Sequence, residues 1–109
     1  MAGTRRYRVY VIELDRAVLR KPSFREENPQ ARPGKPCVYV GQSALDPEAR
    51  FAQHKAGIKS NVYARDFGLR LRLRSMRALP AYATRAEAEA AERRCAARLR
   101  ARGYAVWSR

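Results

Sequence analysis

The sequence predicts a small mixed α/β (α+β) domain whose elements follow the order β, loop, β, α, β, α. Three observations lead to this fold class. Three segments have the composition of strands, two segments carry paired start and stop signals for helices, and 109 residues suffice for one modest core. No internal repeat or low-complexity segment divides the chain. We therefore expect a single domain over residues 1–109.

The first two strands are predicted at 7–14 and 37–41. The segment "YRVYVIEL" has β-branched and aromatic residues at alternating positions. The segment "CVYVG" is an apolar run that could be buried on both faces. Gly41 is expected to end the second strand. Between the strands, a polar insertion at about 16–36 contains four prolines, which predicts a long proline-rich loop with one helical turn near 16–19.

A short helix is predicted next, at about 47–56. Asp46 suits its N-cap, Pro47 its first helical position and Gly57 its end. Residues 58–67 are expected to be either irregular or a second short helix.

The third strand is predicted in the segment "GLRLRLRSMRALP" at 68–80. Leucine alternates with arginine there, which is the period of a strand with one apolar and one cationic face. We expect this strand to end at Pro80.

The last helix is predicted from Thr84 to Gly103. Thr84 and Glu87 form a capping box, and Gly103 supplies a stop. The segment "YAVW" at 104–107 could add a short edge strand. The apolar stripe of the helix consists of Ala88, Ala91, Cys95 and Leu99.

The chain is strongly basic. Lysine and arginine number 24 against 10 aspartate and glutamate, which leaves a formal net charge of +14. Such a field attracts polyanions, so nucleic acid is the expected partner. Arginine supplies 20 of the 24 cations in an alanine-rich chain, and a biased genome is the alternative explanation. Candidate phosphate contacts are the arginines of the last helix and four other side chains: Lys55, Arg70, Arg72 and Arg74.

Cysteine usage and hydropathy bear on the compartment. Cys37 and Cys95 lie inside apolar patterns and far from metal-ligand spacings, so we expect buried free thiols in a reducing compartment. The chain has no apolar stretch of signal-peptide or membrane-span length. We therefore expect a soluble cytoplasmic protein, and association with the nucleoid stays open.

Glu92 is a candidate site residue because of its position on the last helix. At about 100° per residue it falls within about 40° of Ala88, inside the apolar stripe, whereas Glu87 and Glu89 fall outside it, toward solvent. A buried carboxylate is costly unless it is paired, so Glu92 needs an arginine or a divalent metal as partner. Spacing alone favours the arginine.

Four further residues form an ordered series with Glu92. Arg50 and His54 share one face of the short helix, and Tyr10 and Tyr39 occupy the middle of two strands that are expected to be neighbours. Taken singly, each has an ordinary explanation, because strand aromatics usually pack and a lone histidine is a weak signal. Their combination indicates a catalytic site.

The motifs in this series resemble those of the GIY-YIG nuclease superfamily. "RVYVI" at 8–12 stands where the family has its first motif, and "VYVGQS" at 38–43 is similar to the second. "EARFAQH" at 48–54 resembles the family's Arg-x-x-x-His helix, and "TRAEAEAAERR" at 84–94 resembles its Thr-x-x-Glu-Ala-x-x-x-Glu helix. The resemblance extends over nearly the whole chain, with the four motifs in the family's order.

The resemblance implies a three-stranded antiparallel sheet flanked by helices and an endonuclease that hydrolyses DNA phosphodiester bonds with one divalent cation, Mg²⁺ or Mn²⁺. It also implies a role for each site residue. Glu92 would be the metal ligand, and Arg50 would stabilise the charge of the phosphate. Tyr10 and Tyr39 would position or deprotonate the attacking water, and His54 would assist by hydrogen bonding or proton transfer.

The chain departs from the family's pattern in three places. Arg8 stands where the first motif has glycine, and the insertion at about 16–36 sets the two motif tyrosines further apart than is usual. The family's asparagine after the last helix has no clear counterpart in "GYAVWSR". Substrate choice is therefore expected to depend on the insertion or on a protein partner.

Two other functions remain open. The chain could be a nucleic-acid-binding module that keeps the scaffold without turnover, or a small basic structural protein with no site. The five site residues together favour the nuclease, because a module that only binds has no need for a buried carboxylate ready to hold a metal.

Overall fold

The computed structural model describes residues 5–108 and contains a five-stranded mixed sheet with four α-helices. Two 3₁₀ turns, Arg16–Arg20 and Leu73–Ser75, connect these elements. The strands are β1 Tyr7–Leu14, β2 Cys37–Ser43, β3 Gly68–Leu71, β4 Ala81–Tyr82 and β5 Ala105–Ser108. The helices are α1 Pro22–Glu26, α2 Pro47–Ala56, α3 Val62–Phe67 and α4 Arg85–Ala101.

The sheet has the strand order β3-β1-β2-β5, and β4 pairs with the start of β1. The β1 strand is antiparallel to its three partners, whereas β5 is parallel to β2. The mixed α/β class is therefore confirmed, but the expected three-stranded antiparallel sheet is wrong. The difference arises because α4 returns the chain to the sheet in the direction of β2, so that β5 adds a parallel edge strand.

Strand alternation divides the core into two layers. Val9, Val11, Val38 and Val40 pack with α4 on one face, and Tyr10, Ile12 and Tyr39 belong to the core on the opposite face. All five residues from Cys37 to Gly41 are buried, which confirms that β2 is covered on both sides. This double cover fixes the pairing register of β2, since a slip of one residue would exchange its two faces.

Helices α2 and α4 begin at the residues that the sequence predicted. The Asp46 side chain accepts from the Glu48 backbone N–H, and Gly57 ends α2 in the left-handed conformation at φ 81°. Thr84 and Glu87 form the expected capping box of α4. Among the described residues, no helix combines the length and the apolar character needed to cross a bilayer.

The third predicted strand is wrong beyond Leu71. Leu71 is buried, but Leu69 and Leu73 are 45% and 62% exposed, so the leucines do not share a core-facing side. The chain leaves the sheet at Arg72, whose Nε donates to Ser75 Oγ at 3.0 Å. That contact holds the following residues in a 3₁₀ turn instead of an extended strand.

The proline-rich insertion is a packed lobe and not an open loop. Phe24 of α1 is fully buried, stacks on Trp107 with ring centroids 6.2 Å apart, and meets the edge of Tyr63 at 5.3 Å. Buried Asn28 accepts from the Val106 backbone N–H at 2.7 Å and donates to the Phe24 carbonyl at 2.9 Å. The insertion therefore holds β5 against the rest of the sheet.

Both cysteines are buried free thiols, as the sequence predicted. Burial raises the pKa of Cys37 and of Cys95 above the ordinary thiol value. Each therefore acts as a small apolar residue of the core.

Asn28→Ala is expected to lower the free energy of unfolding by about 2 to 4 kcal/mol, because it leaves the Val106 N–H and the Phe24 carbonyl without a partner in a buried environment. Urea unfolding monitored by circular dichroism measures this loss. Gln30→Ala is the matched control, since Gln30 Nε2 donates only to Asn28 Oδ1 and the Tyr104 carbonyl at a half-buried position. Equal losses in the two variants would contradict the role given to Asn28.

Candidate active site

A cavity of about 420 Å³ lies where β2 continues beyond its pairing with β5, which ends at Val40 and Ser108. Four of the five predicted catalytic residues line it, although they come from β1, β2, α2 and α4. The fifth, His54, lies directly behind Tyr10. The full lining is Tyr10, Tyr39, Gly41, Gln42, Arg50, Glu89, Glu92 and Arg93.

Gly41 provides the space in which the two tyrosines meet. It lies opposite Tyr10 in the β1–β2 register, and the Tyr10 and Tyr39 rings have centroids 6.2 Å apart. A Cβ at Gly41 would lie 2.5 Å from Tyr10 Oη and 3.0 Å from Tyr39 Cε2. The expectation that Gly41 ends the strand is wrong, because β2 continues to Ser43. Glycine is required there for close packing against the tyrosines.

His54 is fully buried, and its two ring nitrogens have different partners. The Asn61 backbone N–H donates to Nδ1 at 3.2 Å, so Nδ1 is the unprotonated nitrogen. In the neutral ring the proton therefore resides on Nε2, which lies 2.8 Å from Tyr10 Oη. His54 thus donates to Tyr10, and the tyrosine's own proton is not used in this bond.

The charges of these two groups follow from burial. Burial and the nearby Arg50 guanidinium lower the pKa of His54 to about 4, so the ring is neutral at pH 7. Burial, and secondarily Tyr39, raises the pKa of Tyr10 well above its ordinary value despite the opposing effect of Arg50. Tyr10 therefore keeps its proton at neutral pH and is a hydrogen-bond donor.

Arg50 connects α2 to the segment that follows it. Its Nη1 donates to Gln53 Oε1 at 3.0 Å and to the Ile58 carbonyl at 3.2 Å, and its Nη2 donates to the Lys59 carbonyl at 2.8 Å. The same guanidinium also interacts with the Tyr10 hydroxyl. The bonds hold the guanidinium at the wall of the cavity.

Glu92 points toward the sheet, as its position in the apolar stripe predicted, and is 5% exposed. The Ser108 hydroxyl donates to its Oε2 at 3.1 Å. The sequence predicted an arginine or a metal as the partner of Glu92, and it did not predict a hydroxyl from β5. The contact could not be predicted because it depends on the parallel pairing of β5 with β2.

The sequence did not single out Gln42 and Glu89, which also line the cavity. Arg93, one of the arginines of the last helix predicted to contact phosphate, lines it too. Glu89 is exposed, as expected, but it stands at the cavity mouth. Gln42 Oε1 is buried and has no hydrogen-bond partner among residues 5–108. The i, i+4 spacing of Glu89 and Arg93 on the helix that carries Glu92 was the available signal.

These oxygen atoms fit a hard divalent cation. Mg²⁺ is commonly held by one or two carboxylates together with waters and substrate phosphates, and Mn²⁺ accepts similar oxygen donors. Glu92, Glu89 and the unpartnered Gln42 Oε1 supply such donors to one cavity. Within the described residues, no set of three or more His, Cys, Asp and Glu side chains could hold a metal by itself.

The four phosphate contacts predicted outside the last helix do not line this cavity, and three of them have partners within the fold. Lys55 Nζ donates to the Arg65 and Gly68 carbonyls at 2.8 and 2.9 Å. Arg70 pairs with Glu13 at 2.9 Å, and Arg72 approaches the same carboxylate at 3.5 Å. Arg74 is exposed, with no side-chain ion pair among residues 5–108.

No protein-family model, curated protein or solved structure matches the chain. The chemistry of the cavity is therefore assigned from the residues that line it.

The stability of the protein is expected to fall as the pH drops from about 6.5 toward 4. An unfolded histidine titrates near 6.5 and folded His54 near 4, so the unfolded chain binds more protons between these values. Up to about 3 kcal/mol should be lost, as measured by urea unfolding at successive pH values. His54→Gln, whose amide can also donate to Tyr10, is the control because it does not titrate. Parallel pH profiles for the two proteins would contradict the assignment.

Gly41→Ala is expected to cost about 1 to 3 kcal/mol of stability, because the new methyl group overlaps the Tyr10 hydroxyl. The same change should cost less in a Tyr10→Phe background, where the nearest atom is removed. A double-mutant cycle of urea unfolding measures the difference. An identical cost in both backgrounds would show that the methyl group does not meet the tyrosine.

Proposed function

We propose that the protein is a divalent-metal-dependent endonuclease of the GIY-YIG type that hydrolyses phosphodiester bonds in DNA. The observation that carries the proposal is the convergence of Tyr10, Tyr39, Arg50 and Glu92 on one cavity, with His54 bonded to Tyr10. Their order along the chain is that of the family's motifs. Packing alone gives no reason to bring a buried carboxylate, an arginine and two tyrosine hydroxyls to the same opening.

The charges around the cavity favour a phosphate substrate. A neighbouring cavity of about 570 Å³ shares Gln42 and Arg50 with the first and is also lined by three other cations: Arg5, Lys59 and Arg85. This basic approach, in a chain of net charge +14, would concentrate a polyanion at the opening. A nucleic-acid strand in the second cavity would bring one of its phosphates to Arg50.

The proposed mechanism gives each residue a task that matches its protonation state. Arg50 would use its guanidinium charge to stabilise the charge that develops on the phosphate. Tyr10, protonated and held by His54, would donate to a phosphate oxygen or to the attacking water. Tyr39, with its ring near that of Tyr10, would position the same water.

Glu92, with Glu89 and Gln42 beside it, would hold the divalent ion. When bound, Mg²⁺ or Mn²⁺ would neutralise phosphate charge and lower the pKa of a coordinated water. Because Tyr10 keeps its proton and His54 Nδ1 is engaged by Asn61, neither side chain is suited to accept the proton of the attacking water.

The second candidate function is a nucleic-acid-binding module without turnover on the same scaffold. Arg50 favours it, because three of its donors are engaged by acceptors of the protein itself. An arginine held in this way serves phosphate binding as well as it serves catalysis.

The proposal also includes the cellular location of the protein and the source of its substrate specificity. We propose a cytoplasmic location. None of residues 16–36 lines the proposed active site. The proposed source of specificity is a protein partner or a contact between the insertion and substrate outside the cavity.

Glu92→Gln is expected to reduce cleavage of plasmid and short duplex DNA by about 100-fold or more, because it removes the charged metal ligand. Reactions with Mg²⁺, Mn²⁺ or EDTA, resolved on gels, measure the loss. Glu26→Gln is the matched control, since it changes the net charge equally at an exposed position of α1. Single-stranded DNA and RNA substrates test the choice of DNA.

Three outcomes distinguish the candidates. Metal-dependent cleavage that Glu92→Gln loses and Glu26→Gln keeps supports the nuclease. Full activity in Glu92→Gln would eliminate the metal role of that residue. Binding of DNA by the wild-type protein with no cleavage in either metal would favour the silent module.

A further inference from the structure

A third cavity, of about 680 Å³, lies between the C-terminal half of α4 and the segment that follows β3. We call it the arginine cleft. No acidic residue lines it, and its cationic wall consists of Arg72, Arg74, Arg77, Arg98 and Arg102. Five guanidinium groups around one opening repel one another, so an anion in the cleft would be strongly favoured.

Most of this charge is not neutralised within the fold. Arg74, Arg77 and Arg102 are exposed, and none of them forms an ion pair with another part of the chain between residues 5 and 108. Arg74 and Arg77 lie on the turns after β3, whereas Arg102 caps the end of α4. The cations therefore come from two separate elements that face each other across the opening.

Arg72 gives the cleft a rigid wall. Its side chain is only 14% exposed, it approaches Glu13 at 3.5 Å, and its Nη2 donates to the Tyr104 hydroxyl at 3.1 Å. The guanidinium also lies 5.4 Å from the centroid of the Tyr104 ring. Contacts on several sides fix the orientation of this guanidinium before any ligand arrives.

The rest of the lining is largely apolar and aromatic. Leu79, Pro80, Tyr82 and Leu99 contribute to it beside Tyr104. Phosphate ions alone would not use such a surface. A nucleic-acid strand with unpaired bases would use both parts, because its phosphates contact arginine while a base packs on apolar and aromatic side chains.

The arginine cleft is separate from the proposed active site. The two cavities share no lining residue. On α4, Arg98 and Arg102 lie about 120° and 80° from Glu92 in one direction, whereas Glu89 and Arg93 lie about 60° and 100° from it in the other. The helix therefore lies between the two cavities. A phosphate bound in one cavity cannot contact the residues that line the other.

We propose that the arginine cleft binds single-stranded nucleic acid through its backbone phosphates and one unpaired base. A duplex offers the cleft only its phosphates, because its bases are covered by their stacked neighbours. The cleft therefore supplies a binding site for an unpaired segment on the opposite flank of α4 from the proposed active site. This inference concerns binding and does not depend on the proposed cleavage.

The test measures binding of a labelled oligothymidylate of about 15 nucleotides by fluorescence anisotropy. The Glu92→Gln protein in EDTA is used, so that no cleavage interferes. Arg74→Gln with Arg77→Gln is expected to weaken binding by about 10-fold at about 0.1 M salt. Two lost phosphate contacts should also reduce the slope of log affinity against log salt by about 1.4.

Arg20→Gln with Lys21→Gln is the matched control. It removes the same charge from two exposed positions that line neither cavity, and a loss below about threefold is expected. Thermal unfolding checks that both double variants remain folded. Equal losses in the two would overturn the proposal, because only the net charge would then matter.

Two further arms identify the ligand. Inorganic polyphosphate of matched charge is expected to compete poorly, and a duplex of the same length should be affected less by the cleft variant. Efficient displacement by polyphosphate, or an equal effect on the duplex, would overturn the single-strand assignment. Cleft-dependent binding with no cleavage by the wild-type protein would support the cleft and reject the nuclease, whereas cleavage with cleft-independent binding would do the reverse.

Discussion

A buried chain of hydrogen bonds from Asn61 through His54 to Tyr10 sets the proton positions of the candidate active site. The Asn61 N–H occupies His54 Nδ1, which places the imidazole proton on Nε2 and directs it to Tyr10 Oη. A second proton on the ring would oppose the Asn61 N–H, so this contact and burial both keep His54 neutral. The Tyr10 hydroxyl is thereby held by a group whose own charge does not change near pH 7.

The same asparagine connects the site to the rest of the fold. Its side-chain oxygen accepts from the backbone N–H groups of Tyr63 and Ala64, which caps the start of α3. Tyr63 in turn packs on Trp107, with ring centroids 4.7 Å apart, and on Phe24 of the insertion. One short helix therefore contacts both the insertion and the asparagine that bonds His54, although no residue of the insertion lines the cavity.

Sequence reasoning succeeded where the physical cause is local. The hydrogen bond that caps α4 joins Thr84 to Glu87 within the first turn of that helix. The helical period alone placed Glu92 on the buried face. It failed where pairing partners decide the outcome. The exposure of Leu73 depends on where the chain leaves the sheet. The role of Gly41 depends on which side chain of β1 lies opposite it in the β1–β2 pairing. Glu89 was assigned to solvent correctly, but its place at a cavity mouth depends on the termination of a distant strand.

Burial and charge act against each other at Tyr10, and this opposition bears on how an anion would affect the site. Burial raises the pKa of Tyr10, while the Arg50 guanidinium counteracts part of that increase. A phosphate that pairs with Arg50 would screen the cationic field and add a negative charge close to the hydroxyl. Both effects disfavour the phenolate, so an arriving phosphate would strengthen the state in which Tyr10 donates its proton. The proposed substrate would thus reinforce the protonation state that burial already establishes.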